Sequence, residues 1–172
     1  KLAPQAQEII QKFDGDMSIN SAGALIFNAW ADQLTRNLFS RLSYLFTESY
    51  GSRSFRQPLI LALQNSDSSW CDDPKTNQAE SCLDSSNNAL DKALDYLSDQ
   101  YGSDPKSWSW GKAHIATSEH RPLSKVPVLG GLFNLKTPFP GDAFSINVGR
   151  PQFLKSTNPY ETVQGPSMRA IY

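Results

Sequence analysis

His114 and His120 are the chain's two histidines, and Glu119 stands beside the second. Imidazole and carboxylate together are the material of a metal site or a general base. A helical metal pair needs i, i+4 spacing and a third ligand. Here the spacing is six, in a stretch with no helical periodicity, so one packed and one exposed histidine is the expectation. His114 follows Trp110-Gly111-Lys112-Ala113 and is placed to bond backbone there. Gly165-Pro166-Ser167-Met168-Arg169 has the outline of a nucleophile elbow, but that motif needs a second glycine where Arg169 stands. A turn leading into a strand is the better reading. Asp72, Asp73 and Glu80 offer oxygens to calcium, yet the spacing and central glycine of an EF-hand are missing, so they read as a solvated loop. Trp108 and Trp110 have the faces to stack on a ligand, and aromatics more often anchor packing.

Cys71 and Cys82 are the only cysteines, eleven residues apart among turn formers. No C-x-x-C spacing or further ligand set suggests zinc or redox chemistry. Two free thiols would suit a cytosolic protein. The other reading, adopted as the expectation, is a disulfide closing a small surface loop. It would contribute on the order of 3 kcal/mol if unstrained and implies an exported, oxidising setting.

Helices must position these groups. Ala6, Ile9, Ile10 and Phe13 mark one face of a helix from Pro4 to Phe13, ended by Asp14-Gly15-Asp16. Ala22, Leu25, Ile26, Ala29, Trp30, Leu34, Leu38, Leu42 and Leu45 predict one long helix starting near Ser18–Ser21. Phe27 and Phe39 widen its apolar stripe. A shorter helix is expected over Gln57–Gln64, then a polar loop from Asn65 to Ser81. Leu83, Leu90, Ala93, Leu94, Leu97 and Tyr101 predict a second strong helix, with Ser81-x-x-Asp84 resembling a capping box and Gly102 as terminator. After Gly111 glycine and proline become frequent. Ala143–Val148 and Ser167–Tyr172 alternate with period two and read as strands. The chain stops inside the second alternation, which predicts a piece of a longer polypeptide. The fold class expected is mainly α-helical with a few short β-strands near the C-terminal end: a helical section over 1–110 and a Gly/Pro-rich section over 111–172.

The 172 residues carry 16 Lys plus Arg and 17 Asp plus Glu, a net charge of −1. That excludes a basic footprint for nucleic acid or anionic lipid. No apolar run approaches the ~18 residues of a membrane span, and no charged-then-apolar leader pattern opens the sequence.

Several stretches, in order, resemble the penicillin amidase family of N-terminal nucleophile hydrolases. They are Phe13-Asp14-Gly15-Asp16-Met17-Ser18 followed by Ala22, Ala24, Phe27 and Trp30; Trp108-Ser109-Trp110-Gly111-Lys112-Ala113-His114; His120-Arg121-Pro122-Leu123; Gly141-Asp142-Ala143-Phe144-Ser145-Ile146-Asn147; and Gly165-Pro166-Ser167-Met168-Arg169. The Cys71–Cys82 loop resembles an insertion of some members, including relatives acting on acyl-homoserine lactones. The resemblance implies amide hydrolysis within an αββα parent, by a precursor that cleaves itself into two subunits. The nucleophile is then the larger subunit's new N-terminal residue, with its own α-amino group as base and an oxyanion hole. This chain opens with Lys1, and the family's oxyanion asparagine and calcium ligands belong to segments upstream of the match. No catalytic, cofactor-binding or metal residue is therefore expected in this chain, and calcium would belong to the parent outside it. The expected partners are the rest of the larger subunit and the smaller subunit, and the expected location is periplasmic or secreted. Two rivals remain: a stand-alone helical binding or adaptor module, and a different hydrolase using His114 or Ser167.

Overall fold

A computed structural model describes residues 2–50, 55–65, 68–126, 128–154, 157–162 and 164–167. Helix α1 (Leu2–Gln11) lays Ala6, Ile9 and Ile10 against the central pair of helices, α2 (Ala22–Phe39) and α5 (Cys82–Tyr101). Both long helices start on designed caps. Ser21 Oγ accepts from Ala24 N–H at 3.1 Å, and Ser81 with Asp84 forms a reciprocal capping box. Such caps satisfy N–H groups that a helix start otherwise leaves bare. Leu25, Ala29, Ala93 and Leu97 close the seam between them, and Trp30 Nε1 donates across it to Ser86 C=O at 3.2 Å.

The long helix expected through Leu45 is broken. After Phe39 the chain makes a 3₁₀ turn over Ser40–Leu42, and Ser43 takes φ 48 before α3 (Tyr44–Ser49). The apolar period runs on through the break, because Leu38, Phe39 and Phe46 all face the same second core. Leu45, assigned to the stripe, is exposed instead. Helix α4 (Arg56–Gln64) adds Leu59 and Ala62 to that core. Leu83 also departs from the predicted face: it is 69% exposed, because the first turn of α5 buries Cys82 and Ser85. Gly102 ends α5 at φ 91.

A 3₁₀ turn at Pro105–Ser107, capped by Asp104, leads into α6 (Trp110–Ala113). Strand β1 (Ile115–Ser118) then pairs antiparallel with β2 (Leu135–Pro138), with Ala116 opposite Thr137. On its other side Ala116 makes a parallel bridge to Thr162. Between the strands lie a 3₁₀ turn at Leu123–Lys125, entered through a cis Arg121–Pro122 bond, and α7 (Leu129–Phe133). The mainly helical class with short strands toward the C-terminal end stands as expected, but the strands lie elsewhere. Ala143–Val148 forms no strand: bends run over Ala143–Asn147. Asp142 Oδ1 accepts from Phe144 N–H, Ser145 N–H and Ser145 Oγ, each at 2.8 Å, which curls the backbone out of any strand. Of the Ser167–Tyr172 alternation, Ser167 is in a bend, and 168–172 lies outside the described residues.

Candidate functional site

The two cysteines meet. Cys71 and Cys82 form a disulfide with Cα atoms 4.8 Å apart, buried in the second core. Ser85 Oγ donates to Cys71 C=O, so the first turn of α5 holds the loop a second time. Trp70 sits under the guanidinium of Arg41 at 4.4 Å and against Phe39 at 5.3 Å. The carboxylates weighed for calcium are spent on this loop. Glu80 accepts from Asp73 N–H and from Thr76 Oγ1, and Asp72 accepts from Glu80 N–H. The Thr76 hydroxyl and the backbone N–H bond hold Glu80 below the usual carboxylate range. Among the described residues, no three His, Cys, Asp or Glu side chains come together as a metal site.

The histidines part company. His120 is exposed, its ring against Phe133. His114 is wholly buried at the end of α6, between Trp110 at 4.5 Å and Phe139 at 5.9 Å. Its Nδ1 lies 2.7 Å from Tyr160 C=O and therefore carries the proton, while Nε2 has no partner. Burial pushes its pKa down to about 4, with the Asp142 carboxylate pulling the other way. The ring pins residues 158–162 to α6, and Asn158 Nδ2 does the same by donating to Ala113 C=O at 3.0 Å. Among the described residues, no hydroxyl bonds Nε2. Ser167, the serine of the elbow-like turn, is exposed, and nothing brings His114 to it.

Trp108 and Trp110 are packing anchors. Trp108 Nε1 donates to Gly102 C=O at 2.7 Å, and Trp110 Nε1 to Gly141 C=O at 2.8 Å. Gly141 must be glycine: it has φ 87, and a Cβ there would lie 2.0 Å from the Asn147 carbonyl oxygen.

One polar cluster escaped the sequence reading. Asp32, one turn before Arg36 on the buried side of α2, accepts from Arg36 Nε on both oxygens at 3.1 Å and from Tyr50 Oη. Arg36 also donates through Nη2 to Phe153 C=O at 2.5 Å. Burial raises the Asp32 pKa against the pull of Arg36 and Tyr50. Burial likewise raises that of Tyr50, so its phenol remains a donor. Burial opposes the charge on Arg36, and the Asp32 carboxylate outweighs it. An acid and a base at i, i+4 within an apolar stripe were the available signal. The cluster joins α2, the end of α3 and the 153 loop, and it borders a cavity of about 60 Å³ that Asn28, Thr35, Arg56 and Asp142 also line. That is room for a few waters, far below the roughly 300 Å³ at which ligand pockets begin. A larger open groove of about 710 Å³ runs beside the hairpin, lined by Ala116, Glu119, Arg121, Thr137, Phe139 and Gln164. Thr117, on its wall, donates its hydroxyl to the Glu161 carboxylate.

The described residues thus form a scaffold cross-linked by the Asp32–Arg36–Tyr50 cluster, by His114 to Tyr160 C=O and by the Cys71–Cys82 bridge. The family model for penicillin amidase matches residues 1–172. The chain belongs to the penicillin amidase family. It is 28% identical to the acyl-homoserine lactone acylase QuiP of Pseudomonas syringae pv. syringae (strain B728a), over 98% of this chain and 21% of that protein. It is 26% identical to QuiP of Pseudomonas aeruginosa PAO1 over 74% of this chain and 16% of that protein. QuiP of P. syringae pv. tomato DC3000 is likewise 26% identical, over 98% of this chain and 21% of that protein. The chain spans about a fifth of the length of these curated relatives.

Proposed function

We propose that this chain is a structural part of the larger subunit of a penicillin amidase-family acylase that hydrolyses linear amide bonds, with N-acyl-homoserine lactones as the substrate class. The family match along all 172 residues carries the reading, and the names of the relatives point to the substrate. Residues 1–110 supply the helical section, and 111–172 turn back toward the rest of the enzyme. The remaining polypeptide of the precursor supplies the nucleophile, its base, the oxyanion hole and any calcium site. Export to the periplasm accounts for the Cys71–Cys82 bridge, and no helix among the described residues is long and apolar enough to cross a membrane.

The test is amine release. The full-length protein is incubated with a long-chain N-acyl-homoserine lactone or with a penicillin, and the freed homoserine lactone or penicillin-nucleus amine is derivatised and counted. Release from the lactone substrate, with none by the 172-residue chain alone, is expected. Lactone ring opening without amine release would overturn the acylase reading. Turnover by the short chain, lost in His114→Ala or Ser167→Ala, would overturn the scaffold reading.

A further inference from the structure

Large apolar side chains in water are concentrated in the connection between β1 and β2. Val126, Val128, Leu132 and Phe133 are exposed there, Val128 by 89% and Leu132 by 74%, and Leu135 is exposed at the first position of β2. The connection is ordered by its own bonds. Ser124 N–H donates to His120 C=O at 2.7 Å, Gly130 N–H to Val126 C=O at 3.0 Å, and Asn134 N–H to Gly130 C=O at 3.1 Å. Asn134 Oδ1 accepts in turn from His120 N–H. A Cβ at Gly130 would stand 2.4 Å from the Ser124 carbonyl oxygen, so the turn closes on itself only with glycine. Val128 holds φ 72, a left-handed conformation disfavoured for a β-branched residue. This local folding displays the apolar groups instead of burying them. A prefolded apolar tip of this kind marks a contact surface.

We propose that the tip formed by Val126, Val128, Leu132, Phe133 and Leu135 seats in an apolar cleft of the parent polypeptide outside these 172 residues. This rests on the acylase reading above. The chain spans 21% of its syringae relatives, so most of the material able to cover the tip belongs to the same polypeptide. Strand addition along β2 is disfavoured, because Pro138 has no N–H to offer and Lys136 stands mid-strand, both devices that blunt an edge. Side-chain docking remains. Arg121, Lys125 and Lys136 are exposed around the tip and form the polar rim of such a contact, so the cleft should carry carboxylates at its margin.

The experiment uses the full-length parent with Val128→p-benzoylphenylalanine, prepared as a mixture of ¹⁴N- and ¹⁵N-labelled protein, irradiated, digested and read by mass spectrometry. Cross-links within one polypeptide to peptides outside the 172 residues are expected. Hydroxyl-radical footprinting of the unsubstituted parent should show Leu132 and Phe133 protected. Cross-links between light and heavy copies would assign the tip to a second copy and overturn the proposal. Cross-links to phosphatidylglycerol when vesicles of that lipid are added, or a tip oxidised as freely as an open loop, would overturn it as well. Amine release is measured on the same protein. Activity without the internal cross-link overturns this proposal and leaves the acylase reading standing, and the cross-link without activity does the reverse.

Discussion

In the helices between Ala22 and Tyr101 the backbone satisfies itself, and side chains gather into two cores, one at the α2–α5 seam and one around the Cys71–Cys82 bridge. From Ile115 onward, apart from the connection between β1 and β2, the backbone takes its partners from far along the chain. Thr117 N–H bonds Thr162 C=O, Thr162 N–H bonds Ile115 C=O, and Gly141 N–H reaches back to Met17 C=O. The first region carries local signals that decide its structure, whereas the second is held by what it leans on. Trp110 stands where they join. Its ring is fully buried, its backbone N–H bonds Ser21 C=O, and its indole holds the 141 loop.

The largest expected effect follows from that position. Trp110→Ala should cost about 3–5 kcal/mol, the range for a buried aromatic. Urea unfolding of the chain would show the midpoint falling or the cooperative transition lost. If the two regions were independent, α2 and α5 would keep their stability in this variant. A second large effect lies within the helical region. Opening the Cys71–Cys82 bridge by reductant or Cys71→Ser should cost about 3 kcal/mol on the chain-entropy account. The loss should be confined to the 65–81 loop and the first turn of α5. Thermal melting with and without reductant measures the cost, and far-UV circular dichroism should report little lost helix. A large helical loss would mean that the bridge holds the α2–α5 seam itself.

What the sequence disclosed divides along the same line. The capping box at Ser81 and Asp84, the stop at Gly102 and most of the faces of α2 and α5 were legible, because each depends on residues within a few positions. The pairing of Cys71 with Cys82 was legible because the chain has two cysteines in one polar loop, while Leu83 left its predicted face. The break at Ser43 was not. Leu38, Phe39 and Phe46 line one core, so the apolar period reads through a kink it does not record. Ala143–Val148 misled in the opposite sense. Its alternation has no sheet to serve, since Ile146 is 96% exposed and Asp142 curls the segment. The true strands, Ile115–Ser118 and Leu135–Pro138, are four residues each and barely patterned. Their pairing was invisible locally, as was the joining of Asp32 and Arg36 to Tyr50 and Phe153. For the site, the sequence showed candidates that the fold keeps apart: His114 is walled in, while His120 and Ser167 face water.

His114 sharpens the comparison by pH. Its pKa falls from 6.5 to about 4 on folding because burial disfavours the charged ring. The folded chain therefore binds fewer protons than the unfolded one between those values. The stability is fully present above pH 6.5 and is lost as pH falls toward 4, about 2 kcal/mol of it between pH 7 and pH 5. Chemical denaturation at a series of pH values should show this slope, and His114→Gln, though less stable throughout, should lack it. An unchanged slope in the variant would assign the acid sensitivity to carboxylates instead.

The smallest effect probes the junction of local signal and distant support. Ser81 caps α5: its Oγ accepts from Asp84 N–H at 3.2 Å, and Asp84 returns a bond to Ser81 N–H at 3.0 Å. The Ser81 hydroxyl, at 2.6 Å, and the Ser81 N–H both donate to the Asp84 carboxylate and hold it below the usual carboxylate range. Ser81→Ala should cost about 1 kcal/mol, the ordinary worth of an N-cap. The next residue is Cys82, so cap and bridge constrain the same turn. With the bridge closed, the turn is pinned to Cys71 by the disulfide and by the Ser85 hydroxyl, and fraying is checked even without the cap. With the bridge open, the cap alone starts the helix. A double-mutant cycle over Ser81→Ala and Cys71→Ser, read from urea midpoints, should therefore give a total loss larger than the sum of the two separate losses. Strict additivity would show that the first turn of α5 is fixed by the seam with α2, and that cap and bridge act on the chain independently.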